Sequence, residues 1–464
     1  MINSTYDYDL LVIGSGPAGQ RGAVQAAKLR KRVAIIDKHE FVGGVCVNTG
    51  TIPSKSFKEA VVQLAGTKLK NGSGLRARTN ARMKDLTSRC NYVMQQEIEV
   101  IRAQLTRNNV EVLVGSAQFL DEHSIVIQAY DGTVQKKTAD KILIAVGAEP
   151  SKPAGIGFDG ETIFTSDDIL KLKEVPRELL VVGGGVIGTE YASMFAALGV
   201  LVTIVDARKR LLGFIDEEIT ETLQYRLRAM GVTLRLGEEV KSCSRRQDGM
   251  VVTTLKSGKV IVSESVLFSA GRVSATDGLG LEAIGIHPDE RKKITVNEYF
   301  QTNIINIYAA GDVIGFPALA STSAAQGRQA ICHAFEIEDN RMDIPLPYGI
   351  YAIPEMSYVG LNEQELTEKE IPYETGVARY REIARGQILG DDHGMLKILF
   401  HRDTKELLGV HVIGEQASEL IHIGQAVMGL KGGLKYLMDA VFNYPTLAEC
   451  YKVAAYDGYN KLNR

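Results

Sequence analysis

The sequence predicts an α/β fold in which two βαβ units are followed by a separate α+β segment, and three observations carry that reading. A strand-like run that ends in a glycine turn and passes into a small-residue helix occurs twice, its landmarks at identical offsets. After Ile344 the texture changes to alternating strand-like runs. With 464 residues and 46 glycines, the chain is long enough for two or three domains. That glycine content favours many tight strand-to-helix turns over long helices.

In chain order, Asp9 to Gly14 (DLLVIG) is an apolar, β-prone run, followed by small residues at helical spacing and a second run, Arg32 to Asp37 (RVAIID). The same order returns with Glu178 to Gly183 (ELLVVG), a small-residue helix from Gly188 to Leu198, and Leu201 to Asp206 (LVTIVD). Gly14, Gly16, Gly19 and Asp37 recur 169 positions later as Gly183, Gly185, Gly188 and Asp206, so a GxGxxG turn opens 23 residues ahead of an acidic strand end twice. KILIAVG, ending at Gly147, and SVLFSAG, ending at Gly271, look like the strands that close the two units, which places the second unit inside the first. The expected domains are 1–150 with 275–344, then 151–274, then 345–464. In the last, YGIYAIPEMSYVG, MLKILF and LLGVHVIG read as strands before small-residue helices and the tail NYPTLAE.

Composition narrows the function. Hydrophobic residues make up 45% and charged residues 23%, and a net charge of -3 offers no cationic surface for nucleic acid. No apolar run approaches the ~20 residues that cross a bilayer, and the start MINSTYDYDLLVIG lacks a basic leader and cleavage site. Cys46, Cys90, Cys243, Cys332 and Cys450 are odd in number and form no CxxC pair, which suggests neither a disulfide framework nor a zinc site. The expectation is a cytoplasmic protein with no metal, no membrane and no nucleic-acid partner.

The two glycine turns read as phosphate cradles. A dinucleotide pyrophosphate is anionic, and a helix N-terminus offers unpaired N–H groups and the positive end of its dipole. Gly14 and Gly183 suit the tight turn, Gly16 and Gly185 leave room for phosphates, and Gly19 and Gly188 let helix pack on strand. Asp37 and Asp206 stand where a carboxylate accepts ribose hydroxyls. Two Rossmann-like dinucleotide-binding domains follow.

The run FVGGVCVNTGTIPSK, from Phe41 to Lys55, resembles the flavin-proximal segment of the pyridine nucleotide-disulfide oxidoreductases. IYAAGDVIG, around Asp312, resembles that family's second FAD motif, and VPRELLVVGGGVIGTEYAS and SAGR resemble its nicotinamide-binding segments. The resemblance covers nearly the whole chain and implies FAD at the first turn, NAD(P) at the second, and a C-terminal α+β dimerisation domain. For FAD it implies Gly14, Gly16, Pro17, Ala18, Gly19, Asp37 and Lys38, then Gly43, Gly44, Val45, Cys46, Gly50 and Lys55, with Ala117, Gly147, Asp312, Leu319 and Ala320. The segment from Ala318 to Ser321 would run along the flavin. For NAD(P) it implies Gly183, Gly185, Val186, Ile187, Gly188, Glu190, Asp206, Arg208 and Gly271.

Two departures alter the chemistry. The disulfide reductases carry two cysteines five residues apart, where this chain has Cys46 and Thr51; a threonine forms neither thiolate nor disulfide, so the dithiol relay is absent. Their partner subunit supplies a His-Pro and a glutamate, where this chain has Tyr444, Pro445, Thr446 and Glu449. A phenol, which ordinarily titrates near ~10, is a poor proton shuttle at neutral pH. Hydride exchange with nicotinamide, or transfer to a small oxidant, remains.

The same substitutions are similar to those of the soluble pyridine nucleotide transhydrogenases. That resemblance implies an FAD-dependent, Si-specific enzyme exchanging hydride between NAD(H) and NADP(H) by a ping-pong route, with one FAD per subunit. The nicotinamide C4 and flavin N5 must stack within about 3 to 3.5 Å. Lys55 and Glu190 match the family's pair near N5, Thr51 and Cys46 stand in the catalytic segment, and Val186, where some members place an aromatic gate, suggests an open nicotinamide pocket. Asp206 favours a ribose hydroxyl, whereas Arg208 and Arg210 favour a 2′-phosphate. Tyr444 and Glu449 have a place near a flavin only as a neighbour's residues, so a homodimer or higher homo-oligomer is expected. Cys46 reads as a small buried side chain, and His393, His411 and His422 as structural or exposed. An NAD(P)H oxidase or diaphorase, a dihydrolipoamide dehydrogenase-like paralogue without disulfide activity, and a non-catalytic flavoprotein are the alternatives.

Overall fold

A computed structural model describes residues 5–70, 81–338 and 344–462. The chain forms two compact units, one of Met1–Phe57, Thr87–Ser151 and Gly271–Arg341, the other of Lys58–Leu86, Lys152–Ala270 and Met342–Arg464.

In the first unit, β1 (Tyr8–Ile13), α1 (Pro17–Lys28) and β2 (Val33–Asp37) make the expected βαβ turn. β1 and β2 pair in parallel, Leu10 beside Val33 and Ile13 beside Ile36. The parallel sheet runs Glu111–Val114, β2, β1, the end of Val134–Ile144, and Ile307–Ala309. The start of Val134–Ile144 bends away into antiparallel pairing with Ser124–Gln128, which pairs in turn with Ser116–Asp121. Strands buried on both faces read as continuous apolar runs: Leu10, Val12 and Ile35 pack on one side with Leu143 and Ile331, and Leu11, Ile36 and Ile142 on the other with Phe119. α1 lies against the helix Ala320–Ala334, where any side chain at Gly327 would overlap the Ala18 carbonyl.

The second unit repeats the pattern. β3 (Glu178–Val182), α2 (Val186–Ala197) and β4 (Leu201–Asp206) lie in a parallel sheet ordered Thr233–Leu236, β4, β3, Ser265–Phe268, Ile163–Thr165. The sequence echo at KILIAVG and SVLFSAG thus corresponds to strands beside β1 and β3. This unit also holds a five-stranded antiparallel sheet ordered Tyr348–Ile350, Met356–Gly360, Leu407–Ile413, Met395–His401, Tyr373–Arg379. Its strand Met395–His401 carries Lys397, whose side chain is 2% exposed and whose ammonium pairs with Asp216 at 2.9 Å, Glu218 at 3.2 Å and Glu363. Asp216 caps the helix Glu217–Ala229. Removing that lysine would strand a buried carboxylate at a cost of about 3–5 kcal/mol.

Three features depart from the sequence reading. Helices Thr51–Lys70 and Met83–Arg107 are long, contrary to the short-helix expectation from glycine content, because the 25 residues of the second contain no glycine at all. Its Cys90, Ile98, Ile101 and Leu105 form a buried stripe at helical spacing. The antiparallel sheet Val240–Arg245, Val251–Leu255, Val260–Ser263 and the strand Tyr373–Arg379 carried no sequence signal. In the latter, Gly376 interrupts the pattern because a side chain there would overlap the Ala454 carbonyl of the last helix, Glu449–Lys461. Among the described residues no helix is long and apolar enough to cross a membrane.

Candidate functional site

Each glycine turn is forced by local geometry. Gly14 and Gly183 have φ of 104° and 103°, which favours glycine. A side chain at Gly19 would overlap the Gly14 carbonyl, and one at Gly188 the Gly183 carbonyl, so each third glycine lets the helix close onto its strand. Gly16 differs. Its φ of -68° suits any residue, and a Cβ there meets nothing within 4 Å. Protein packing does not demand that glycine; it leaves an open cradle at the start of α1, where no side chain caps the helix and Pro17 stands at its first position. Gly185 begins α2 in the same way, followed by Val186 and Ile187, both half-buried. The chemistry of both cradles fits a pyrophosphate.

Three further segments converge on the first cradle. A side chain at Gly44 would press on the Gly16 backbone, and Gly43 donates its N–H to Ser15 Oγ at 3.0 Å. Asp37 Oδ2 accepts from the Ser15 amide at 2.9 Å and from its hydroxyl, while Oδ1 accepts from the His39 amide at 3.0 Å. Ser15 is thus the joint between the acidic strand end and the Gly43–Gly44 turn, and sequence reasoning missed it. The signal was a hydroxyl between two glycines. On the other side, Gly311, at φ 83°, would bring a side chain to 3.2 Å from Ala18, which sets Asp312 beside the cradle. Burial raises the Asp312 carboxyl above its ordinary range against the opposing pull of Arg272, and its Oδ1 accepts from Ser323 at 3.3 Å. Leu319 and Ala320 open the helix Ala320–Ala334 on that side. Lys38 is exposed, Gly147 takes φ 72°, and Ala117 is buried in the strand Ser116–Asp121.

Cys46 sits between Val45 and Val47 in the short helix Gly44–Asn48, hydrogen-bonded to Thr51, which follows Gly50 at the head of the next helix. It is half-buried, while the short helix presents its Val47 inward. Burial pushes the thiol up and outweighs the Thr51 hydroxyl and Lys55, so the sulfur stays protonated at neutral pH. All five cysteines are free.

The second cradle holds its acid differently. Asp206 Oδ2 accepts from the Gly184 amide at 2.5 Å and from Arg208 Nη2 at 2.7 Å, and Oδ1 accepts from the Arg208 amide at 2.7 Å and Nε at 2.9 Å. Burial alone would raise the carboxyl; the Arg208 guanidinium and the amides outweigh it and hold it below the carboxylate range. A carboxylate offers about four lone-pair sites, and here all are taken. Asp206 and Arg208, expected to favour different forms of the coenzyme, clasp each other. Arg210, expected to favour a 2′-phosphate, is paired with Glu217.

Glu190, 3% exposed on α2, accepts from the Tyr351 amide at 2.8 Å. It belongs to the second unit and Lys55 to the first, as does Gly271, whose carbonyl accepts from Ser151 at 3.0 Å. Tyr444 is 74% exposed, and Glu449 opens the last helix with a buried carboxylate oxygen that has no partner among the described residues. His411 is buried with Nε2 on the Leu361 carbonyl, His422 is paired with Gln425, and His393 lies by Tyr225.

Residues 8–327 match the family model described as pyridine nucleotide-disulphide oxidoreductase, and residues 346–455 match the dimerisation domain of the same family. The chain is similar to the soluble pyridine nucleotide transhydrogenase of Mycobacterium bovis, at 51% identity over 461 residues and 98% of each chain. It is likewise similar to that of Pseudomonas putida, at 46% identity over 99% of this chain and 100% of the other. Among solved structures, LpdA from Mycobacterium tuberculosis superposes with a TM-score of 0.88 at 29% identity, covering 96% of this chain and 99% of that one. The HOCl-induced flavoprotein disulfide reductase RclA from Escherichia coli, solved as a Cu(II) complex, gives 0.88 at 28% identity, over 97% of this chain and 99% of that one.

Proposed function

Because the chain belongs to the pyridine nucleotide-disulphide oxidoreductase family, we propose that it is an FAD-dependent transhydrogenase of the Si-specific type, exchanging hydride between NADPH/NADP+ and NADH/NAD+ in ping-pong order. The observation that carries this reading is the Cys46–Thr51 pair: the sulfur relay of a disulfide reductase is replaced by one protonated thiol and a hydroxyl. FAD, when bound, supplies a two-electron carrier that accepts a hydride from one nicotinamide and returns it to another.

The protein's own residues bind and orient. The N–H groups at the start of α1, bared by Gly16 and flanked by Gly43 and Gly44, would hold the FAD pyrophosphate. Asp37 keeps one Oδ1 lone pair for the adenosine ribose, and Asp312 faces the same cradle for the ribityl hydroxyls. At the second cradle, Gly185 and the amides of Val186, Ile187 and Gly188 would take the nicotinamide dinucleotide. Lys55 would hold positive charge toward the reduced flavin, and Glu190 would orient the nicotinamide amide.

The domains we propose are 1–150 with 275–344 for FAD, 151–274 for NAD(P), and 345–464 for dimerisation. One FAD per subunit, a homodimer, no metal and a cytoplasmic setting complete the reading. Its test mixes the FAD-loaded protein, without oxygen, with NADPH and an NAD+ analogue that absorbs differently once reduced. Reduction of the analogue is expected. Flavin bleaching with no reduced analogue would overturn the reading, and oxygen consumption in its place would mark an oxidase.

A further inference from the structure

The connection Tyr351–Glu355 (YAIPE) joins strands Tyr348–Ile350 and Met356–Gly360. A turn between adjacent antiparallel strands ordinarily faces water, yet this one spends its polar groups on α2 and on the helix Thr51–Lys70. The Tyr351 N–H is donated to Glu190 Oε1 at 2.8 Å. The Ile353 N–H is donated at 2.9 Å to Ser193 Oγ, which donates to the Glu190 carbonyl at 2.7 Å. Glu355 Oε2 accepts from Lys58 Nζ at 2.6 Å, both side chains 11% exposed, and Oε1 accepts from the Ser418 amide at 2.7 Å.

The connection therefore grips Glu190 at its carboxylate and, through Ser193, at its backbone. It also grips the helix that carries Lys55 at Lys58, three residues further on, which is about one turn. A buried ion pair such as Lys58–Glu355 adds little net stability for its desolvation cost, so its value lies elsewhere than in holding the fold together. Hydride transfer is sensitive to misplacement, with about 1 Å costing roughly 100-fold. We infer that Tyr351–Glu355 is a positioning strap for hydride transfer, with Ser193, Glu355 and Lys58 as its positioning residues. This rests on the reading that Lys55 and Glu190 act at the flavin.

The test compares Ser193→Ala and the double variant Lys58→Met/Glu355→Gln, which removes both charges together, with Lys58→Arg, which keeps both. The readout is anaerobic flavin bleaching by NADH, as a limiting rate per bound FAD and as an apparent Kd, together with the isotope effect from NADH deuterated at C4. The expected result is a limiting rate about tenfold lower in Ser193→Ala and in the double variant, with Kd within about twofold, a larger isotope effect, and near-normal behaviour in Lys58→Arg. Limiting rates unchanged per bound FAD, whatever the loss of thermal stability, would overturn the strap. Glu190→Gln and Lys55→Met run in parallel separate the two ideas. If those two are slow while the strap variants are normal, the strap alone fails; if those two are also normal, the reading beneath it fails.

Discussion

At the first glycine turn the strand-end acid is fastened from within: Asp37 is held by Ser15 and by the His39 amide, and Ser15 passes the link on to Gly43. At the second turn the residue between the glycines is Gly184, which offers only its amide, and the position equivalent to His39 is Arg208, whose guanidinium closes on Asp206. The first arrangement is built into the wall and leaves one lone pair of Asp37, which on the proposed reading serves a cofactor that stays. On the proposed reading, a ribose hydroxyl would reach Asp206 only when Arg208 leaves, and a departing Arg208 would then be available to a 2′-phosphate. An acid and a base that neutralise each other would, on that reading, let one pocket accept both forms of the coenzyme, at the cost of breaking a charge-assisted pair each time.

The largest expected effect separates the two turns outright. Gly19→Val drives a side chain into the Gly14 carbonyl and should weaken FAD retention on the order of 100-fold, about 3 kcal/mol, read as flavin absorbance after gel filtration. Gly188→Val should leave FAD in place and abolish bleaching by NADH. If both variants lose flavin equally, the turns are not separately assigned. Next, Arg208→Ala should lower kcat/KM for NADPH about 10- to 100-fold, the ~1.5–3 kcal/mol of a charged hydrogen bond, and leave NADH unaffected or improved, because Asp206 is released. Asp206→Ala should hurt NADH more than NADPH. Equal losses for both coenzymes would remove the clasp from the ribose site.

Asp206 also sharpens the comparison through acid. Its carboxyl lies below the ordinary value in the folded chain, so the stability it contributes is fully present above its unfolded pKa of ~3.9 and is lost as pH falls through the lower folded value. Asp206→Asn should flatten the acid limb of a denaturation series below about pH 4, and an unchanged limb would contradict this. The smallest effect is expected at Cys46→Ala, whose hydride exchange should stay within about twofold of the parent, since a thiol held protonated takes no part. A loss of tenfold or more would restore sulfur to the chemistry.

Both glycine turns were legible in the sequence because their constraints are local: a positive φ at Gly14 and Gly183 and a helix closing on its strand at Gly19 and Gly188 admit only one residue type. The strands around them were legible because double-sided burial writes unbroken apolar runs. What escaped is what distant chain segments do to one another. Nothing near Glu355 announces that its partner is Lys58, and nothing near Lys397 announces Asp216 and Glu363. Arg208 was read from its charge and position, but charge does not say that its nearest acid is two residues away and already faces it.

The sheet around β1 is sewn from stretches as far apart as Tyr8 and Ala309, and α1 finds its partner glycine only at Gly327, whereas the parallel sheet around β3 is complete within residues 163–268. On a translating ribosome the sheet around β3 can therefore be completed while the sheet around β1 still waits for its last strand. The cradle at Gly14–Gly19 would be completed late, by a nascent chain that already carries the cradle at Gly183–Gly188.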